Sequence, residues 1–288
     1  MKTNGNQKLW LATMAGHFVK ALSAFVLVVG VGAALDSTLA ADAAAAPEPL
    51  RVGITPEYPP LVFRLPDATN GLEIDLAKAL GRELGRPIEF VVVPWEDQIP
   101  ALLERRTDII MSGMSITKAR QLRITFSNPY VQSQLRAVFP RKNAARFKTV
   151  EQVLKSNARI GVVPGTTGEV FAKRNCPNAS VVPITMRRDV GVYLVKGDRI
   201  DLFIDDTFAV ADILSRSEAD IAYLQEPLSK EDLAWGIRPG DTEFLNKVNK
   251  ILEQWKMNGT LERALDTWIP YLKKMRSVQP GTQASTAN

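Results

Sequence analysis

The stretch Asp108-Ile-Ile-Met-Ser112-Gly-Met-Ser115-Ile-Thr117-Lys-Ala-Arg120 decides how the chain folds. Its first part is a short apolar run, and its second breaks into Gly and hydroxyl residues, so a buried strand ends there and a polar loop begins. Upstream, Leu50-Arg-Val-Gly-Ile-Thr55 alternates like a second strand and runs into loop residues rich in Pro and Tyr, Pro56 to Pro60. After Asn70-Gly71, the apolar residues Ile74, Ala77, Leu80 and Leu84 recur at spacings of three and four, which predicts a helix. The β-branched run Ile88 to Val93 predicts another strand, and Asp97 to Arg105 a second helix. The order is β-α-β-α-β, the pattern of parallel strands joined by right-handed crossovers.

The pattern returns downstream. Arg159 to Val163, Ser180 to Ile184 and Ile200 to Ile204 read as strands, with helices at Thr166 to Lys173 and Val190 to Lys196 between them. Two such units predict two lobes. Tyr130 to Pro140 is a plausible strand crossing between them, and Gln225 to Asp232 a plausible return. Amphipathic helices at Glu243 to Trp255 and Leu261 to Leu272 then pack on the first lobe if the chain crosses twice. The expected organisation is lobe 1 over 49–134, lobe 2 over 135–228 and lobe 1 again over 229–275. The segment 276–288 is expected to be a disordered tail.

The chain has 288 residues, 36 Lys+Arg against 31 Asp+Glu, one Cys and one His. Lys2, Lys8 and Lys20 flank the apolar run Ala21 to Leu35, which is followed by the small-residue stretch Ser37-Thr-Leu-Ala40. That order predicts a signal peptide over 1–40, with a flexible 41–48 after it. The run is shorter than the roughly 20 residues a bilayer-spanning helix needs. An uncleaved anchor is the alternative. Cleavage would remove His17 and leave no imidazole, which excludes Ser/His/Asp triads, Cys/His pairs and His-ligated metals. Cys176 has no partner for a disulfide and lies far from the signal, so it is not a lipoprotein cysteine. A formal charge of only +5, spread along the chain, gives no argument for nucleic acid. The expected protein is free in the periplasm, without cofactor or metal.

In open α/β sheets ligands sit beyond the carboxyl ends of the strands, so polar residues at strand ends are the candidates. Ser112 and Ser115 follow a buried strand directly. Arg120, three residues after Thr117, can fork two N–H groups onto a carboxylate, although an Arg so near a Lys is more often a solvated surface residue. Pro164-Gly165-Thr166-Thr167-Gly168-Glu169 has capping-box spacing at a helix start, which could hold an anion or simply cap its own helix. Asp205-Asp206 ends an apolar strand. Because neighbours on a strand point opposite ways, at most one is expected to face a cleft, where it would suit an ammonium group; helix capping is the equal alternative. Tyr58 and Trp95 follow strand ends and could sandwich a ligand side chain or pack in the core.

From about Leu50 to Leu272 the chain resembles the family 3 extracellular solute-binding proteins, the periplasmic amino-acid receptors of ABC importers. The resemblance rests on Tyr58-Pro-Pro, Asn70-Gly-Leu-Glu-Ile-Asp75, Ser115-Ile-Thr-Lys-Ala-Arg120, Phe126-Ser-Asn-Pro-Tyr130, Gly165-Thr-Thr167 and Gly197-Asp-Arg-Ile-Asp201. It implies an α/β protein of the type II, Venus-flytrap kind, a monomer of two lobes joined by two hinge strands. It further implies that Arg120 holds a ligand α-carboxylate with Ser115 and Thr167. Asp206 would take the α-ammonium with Ser112, while Tyr58 and Trp95 pack the side chain. A membrane permease would then read lobe closure, with no chemistry in the receptor itself.

Two positions depart from the family pattern. Thr55 stands where binders of basic amino acids often carry an acid, with Glu57 nearby as a possible substitute, and Gly113 replaces a hydroxyl. A second expectation is an enzyme on the same scaffold resembling cyclohexadienyl dehydratase. The place of that relative's cleft glutamate reads Thr207-Phe208-Ala209 here, so Glu57 or Asp205 would have to serve as general acid. A third is a sensor that reports to another membrane partner.

Overall fold

The computed structural model describes residues 47–216 and 221–270. The expected signal peptide and its cleavage site, most of the segment 41–48 and the C-terminal tail lie outside the described residues.

In chain order the strands are β1 (Leu50–Ile54), β2 (Glu57–Tyr58), β3 (Val62–Arg64), β4 (Thr69–Asn70), β5 (Ile88–Val92), β6 (Ile109–Ile110), β7 (Thr125–Phe126), β8 (Val131–Pro140), β9 (Arg159–Val162), β10 (Ser180–Pro183), β11 (Leu202–Asp206), β12 (Ile221–Tyr223), β13 (Ser229–Leu233) and β14 (Gly236–Ile237). The α-helices are α1 (Leu72–Leu84), α2 (Gln98–Leu103), α3 (Lys118–Gln121), α4 (Val150–Leu154), α5 (Thr167–Asn175), α6 (Val190–Lys196), α7 (Thr207–Arg216), α8 (Thr242–Met257) and α9 (Thr260–Trp268).

Two sheets carry the architecture. The first runs β5-β1-β6-β14-β7, with β5, β1 and β6 parallel as the β-α-β-α-β pattern requires. The second runs β10-β9-β11-β8-β12, with β10, β9 and β11 parallel and β8 antiparallel to β11. The chain leaves the first sheet through β8 and returns through β13, which pairs with the first half of β8 from Val131↔Leu233 to Leu135↔Ser229. The return strand thus starts four residues later than the sequence reading placed it. Short elements with too few residues to show a period were missed. The chief example is β2-β3-β4, a small antiparallel sheet where residues 56–60 read as loop.

Burial follows the periods. On β11, Leu202 and Ile204 pack into a cluster with Phe139, Phe147 and Ile160, while Phe203 points to the other side with Val190, Leu194 and Ile213. Both faces of the second sheet are therefore covered, and each such side chain contributes roughly 1.5–3 kcal/mol. The first sheet is sealed by the C-terminal helices. Val248, Leu252 and Trp255 of α8 and Leu261 and Leu265 of α9 join Leu50, Ile54 and Leu72 in one core. Trp235, just after β13, stacks on Tyr130, just before β8, with centroids 5.6 Å apart, and meets Trp255 edge-on at 6.3 Å. These aromatic contacts anchor both crossing strands in the first sheet's core.

An acidic side chain lies in that core. The Glu73 carboxylate is buried, and burial pushes its pKa up. It accepts hydrogen bonds from Tyr130 Oη (2.6 Å), Gly113 N (2.8 Å) and Trp235 Nε1 (2.9 Å). A single α1 side chain thereby ties the loop after β6 to the roots of both crossing strands.

Candidate functional site

The carboxyl ends of β1, β6 and β11 converge on one cavity. It is lined by Thr55, Tyr58, Trp95, Ser112, Gly113, Ser115 and Arg120 from the first sheet's side, and by Thr166, Thr167, Arg187, Asp205 and Asp206 from the second's. All seven residues singled out by sequence, Tyr58, Trp95, Ser112, Ser115, Arg120, Thr167 and Asp206, are among them. The cavity measures about 30 Å³, against the roughly 300 Å³ at the small end of ligand pockets.

Arg120 is positioned by its local sequence. Thr117 caps α3 by accepting from Arg120 N at 3.2 Å, which fixes the backbone from which the guanidinium reaches into the cavity. Nη1 donates to Ser115 O (2.8 Å), Nη2 crosses to Gly165 O (3.1 Å), and the group lies 5.2 Å from the Trp95 ring centroid. Burial lowers its pKa to about 10, partly offset by the Glu231 charge, so it stays cationic at neutral pH. These bonds use two of its five N–H groups. The solvated-surface alternative for this Arg does not hold.

The opposing wall is acidic. Asp206 is the last residue of β11, and its Oδ1 accepts from Phe208 N (2.8 Å) and Ala209 N (3.1 Å), capping α7. Its Oδ2 accepts from Tyr58 Oη across the cavity. Capping and cleft-facing, posed by the sequence as alternatives, are both satisfied because one carboxylate has two oxygens. Burial and the nearby Glu231 charge raise Asp206 against the two backbone N–H groups, to about 7.

The expectation that at most one of the two aspartates faces the cleft is corrected: both line it. Because β11 ends there, Asp205 reaches the cavity edge, where Arg187 Nε donates to its Oδ2 at 2.7 Å. The Arg187 guanidinium also sits 4.7 Å from the Tyr58 ring centroid.

Trp95 Nε1 donates to Gly165 O at 3.1 Å, so the Gly165 carbonyl receives both Trp95 and Arg120. Gly165 has φ +73°, and a Cβ there would stand 3.3 Å from the indole. Gly113 is more constrained. At φ +68°, a Cβ would lie 2.5 Å from the Tyr58 ring, so the hydroxyl residue of other sequences has no room here. Thr55 is engaged with Val93 O, Gln98 Nε2 and Ser112 Oγ, while Glu57 is exposed and does not line the cavity.

Sequence reasoning missed Arg187 and Glu231. Glu231 of β13 accepts from Ser115 Oγ (2.7 Å) and Thr167 Oγ1 (3.0 Å), one hydroxyl from each side of the cavity. It lies in the charged run Lys230-Glu-Asp232, at the end of the segment Gln225 to Asp232 expected as the returning strand. Only its place on a strand crossing between sheets could have marked it.

A family model, bacterial extracellular solute-binding proteins, family 3, matches residues 50–271. The chain belongs to this family. It is 29% identical over 235 residues to ABC transporter arginine-binding protein 1 of Escherichia coli K12, covering 79% of this chain and 93% of that one. It is 28% identical over 259 residues to cyclohexadienyl dehydratase of Pseudomonas aeruginosa, covering 88% and 95%. Among solved structures, an ancestral amino acid-binding protein that is a precursor of cyclohexadienyl dehydratase superposes with a TM-score of 0.70 at 34% identity, over 76% of this chain and 94% of that one. The fold is accordingly the two-lobed α/β architecture of family 3 solute-binding proteins. No helix among the described residues is long and apolar enough to cross a membrane.

Proposed function

We propose that the protein is a periplasmic receptor that captures an amino acid by lobe closure and delivers it to an ABC importer. The observation that carries this reading is the facing pair in one cavity: a cationic Arg120 on the first sheet's side and the Asp206 carboxylate on the second's. A zwitterion can bridge them, its carboxylate on Arg120 and its ammonium on Asp206, with Tyr58 and Trp95 walling its side chain. A ligand touching both lobes stabilises the closed form more than the open one, and that difference drives closure. The lobes are taken as 49–134 with 229–275, and 135–228; the signal peptide is taken as 1–40, which delivers a monomer to the periplasm. Calorimetric titration of the protein lacking residues 1–40 against an amino-acid panel tests the reading. At least one binder with micromolar or better affinity is expected, lost in Arg120→Ala. A panel with no binder, or full affinity in the variant, would contradict it.

A dehydratase activity is the second reading. It is favoured by the similarity to cyclohexadienyl dehydratase and by a buried carboxyl, Asp206, whose pKa near neutrality suits a general acid. Against it, Thr207 donates to Gln134 O, Asp205 is held by Arg187, and Glu57 faces solvent. Incubation with prephenate or arogenate, read by ultraviolet absorbance of the aromatic product, separates the two readings.

A further inference from the structure

We propose that Glu231 is a specificity-determining residue that biases the cleft against ligands carrying a second negative charge. The inference rests on the reading of this cavity as an amino-acid site and names the charge class it admits. Glu231 does not line the cavity. It stands behind it on β13, and its Oε2 takes the protons of Ser115 Oγ at 2.7 Å and Thr167 Oγ1 at 3.0 Å. A hydroxyl has one proton to give. Given to Glu231, it is not available to a ligand carboxylate, and each hydroxyl then turns lone pairs toward the cavity. Two groups that by resemblance would help Arg120 hold an anion become acceptors.

The charge balance points the same way. Arg187 is bonded to Asp205 and so is committed, while the Asp205 charge still acts on Glu231. Arg120 is left facing two acids, Asp206 and Glu231, and Glu231 acts electrostatically on both of the other members. One zwitterion supplies one carboxylate to Arg120 and one ammonium to Asp206. A further carboxylate finds no uncommitted cation among the cavity-lining residues and meets the charge of the partly buried Glu231. A neutral or cationic side chain does not incur that repulsion.

The test is Glu231→Gln, which keeps size and an acceptor oxygen while removing the charge, checked for folding by circular dichroism. Calorimetry compares L-glutamate with L-glutamine, a pair alike in shape and differing in charge. The ratio of Kd for glutamate to Kd for glutamine is expected to fall by about tenfold or more in E231Q, equivalent to about 1.4 kcal/mol. Taking the ratio within one protein cancels general effects on stability or closure. In a Thr167→Val background the same substitution should shift the ratio less, because one of the released protons is no longer there. An unchanged ratio, or one moving the other way, overturns the proposal. If E231Q fails to fold, Glu231→Ala puts the same question. If no amino acid binds any variant, the amino-acid reading fails. Succinate and succinamate then decide the Glu231 assignment alone: a gain for succinate on removing the charge supports it, and no gain overturns it.

Discussion

Asp206 places function and stability in opposition, and Asp206→Asn makes the conflict measurable. In the folded protein burial raises this carboxyl from the ordinary 3.8 to about 7. Between those two values the folded state holds a proton that the unfolded chain has released, so stability falls as pH rises through the window. Each pH unit costs about 1.4 kcal/mol. The whole span of about 3 pH units amounts to about 4 kcal/mol, complete above about pH 8 and absent below about pH 4. Asparagine has no charge to bury, and its Oδ1 can keep accepting from Phe208 N and Ala209 N. Thermal unfolding of wild type and D206N from pH 4 to pH 9 should therefore show nearly equal midpoints at pH 4. The variant should be higher by roughly 10 °C at pH 8, at about 2–4 °C per kcal/mol for a domain of this size. The same variant should bind amino acids at least a hundredfold more weakly. A gap independent of pH, or a wild type as stable as the variant at pH 8, would refute the assigned burial cost.

Other outcomes follow from the same geometry. Amino-acid affinity should weaken by up to about tenfold per pH unit as pH falls below about 7, because only ionised Asp206 pairs with an ammonium; a des-amino analogue titrated alongside should lack this dependence. Glu73→Gln can keep an oxygen for Tyr130 Oη and Gly113 N but puts an amide N–H against Trp235 Nε1, and chemical denaturation should register a loss of about 1–3 kcal/mol. Gly113→Ala must displace the Tyr58 ring, so calorimetry should find weaker binding together with a lowered melting midpoint. Arg120→Lys keeps the charge but not the planar fork across to Gly165, and titration should return an affinity between those of wild type and R120A.

Much of this was legible in the sequence because the signals were periodic. The run Ile74, Ala77, Leu80 sits on the buried face of α1, and the helix predicted at Val190 to Lys196 matches α6 to the residue. Strand ends announced by Gly and hydroxyl residues placed Ser112, Ser115 and Thr167 at one cavity. Other features were hidden for physical reasons. The strand predicted over Ile200 to Ile204 and ending in Asp205-Asp206 starts two residues later, at Leu202, and includes both aspartates, one held by Arg187 and the other capping α7. The role of Glu73 could not be read from sequence, since its three donors come from residues 113, 130 and 235, far along the chain. Glu231 was obscured for the same reason: its partners Ser115 and Thr167 are distant in sequence and meet only where the two sheets face each other.

The measurement closest to the central claim is a ligand-editing titration on three proteins: wild type, R120A and D206N, each with an amino acid that binds and with its des-amino analogue. If Arg120 and Asp206 hold opposite ends of one zwitterion, wild type prefers the amino acid strongly, D206N loses that preference while still binding the analogue, and R120A loses both ligands. Equal losses for the two ligands in D206N, or an R120A protein that binds like wild type, would contradict the account.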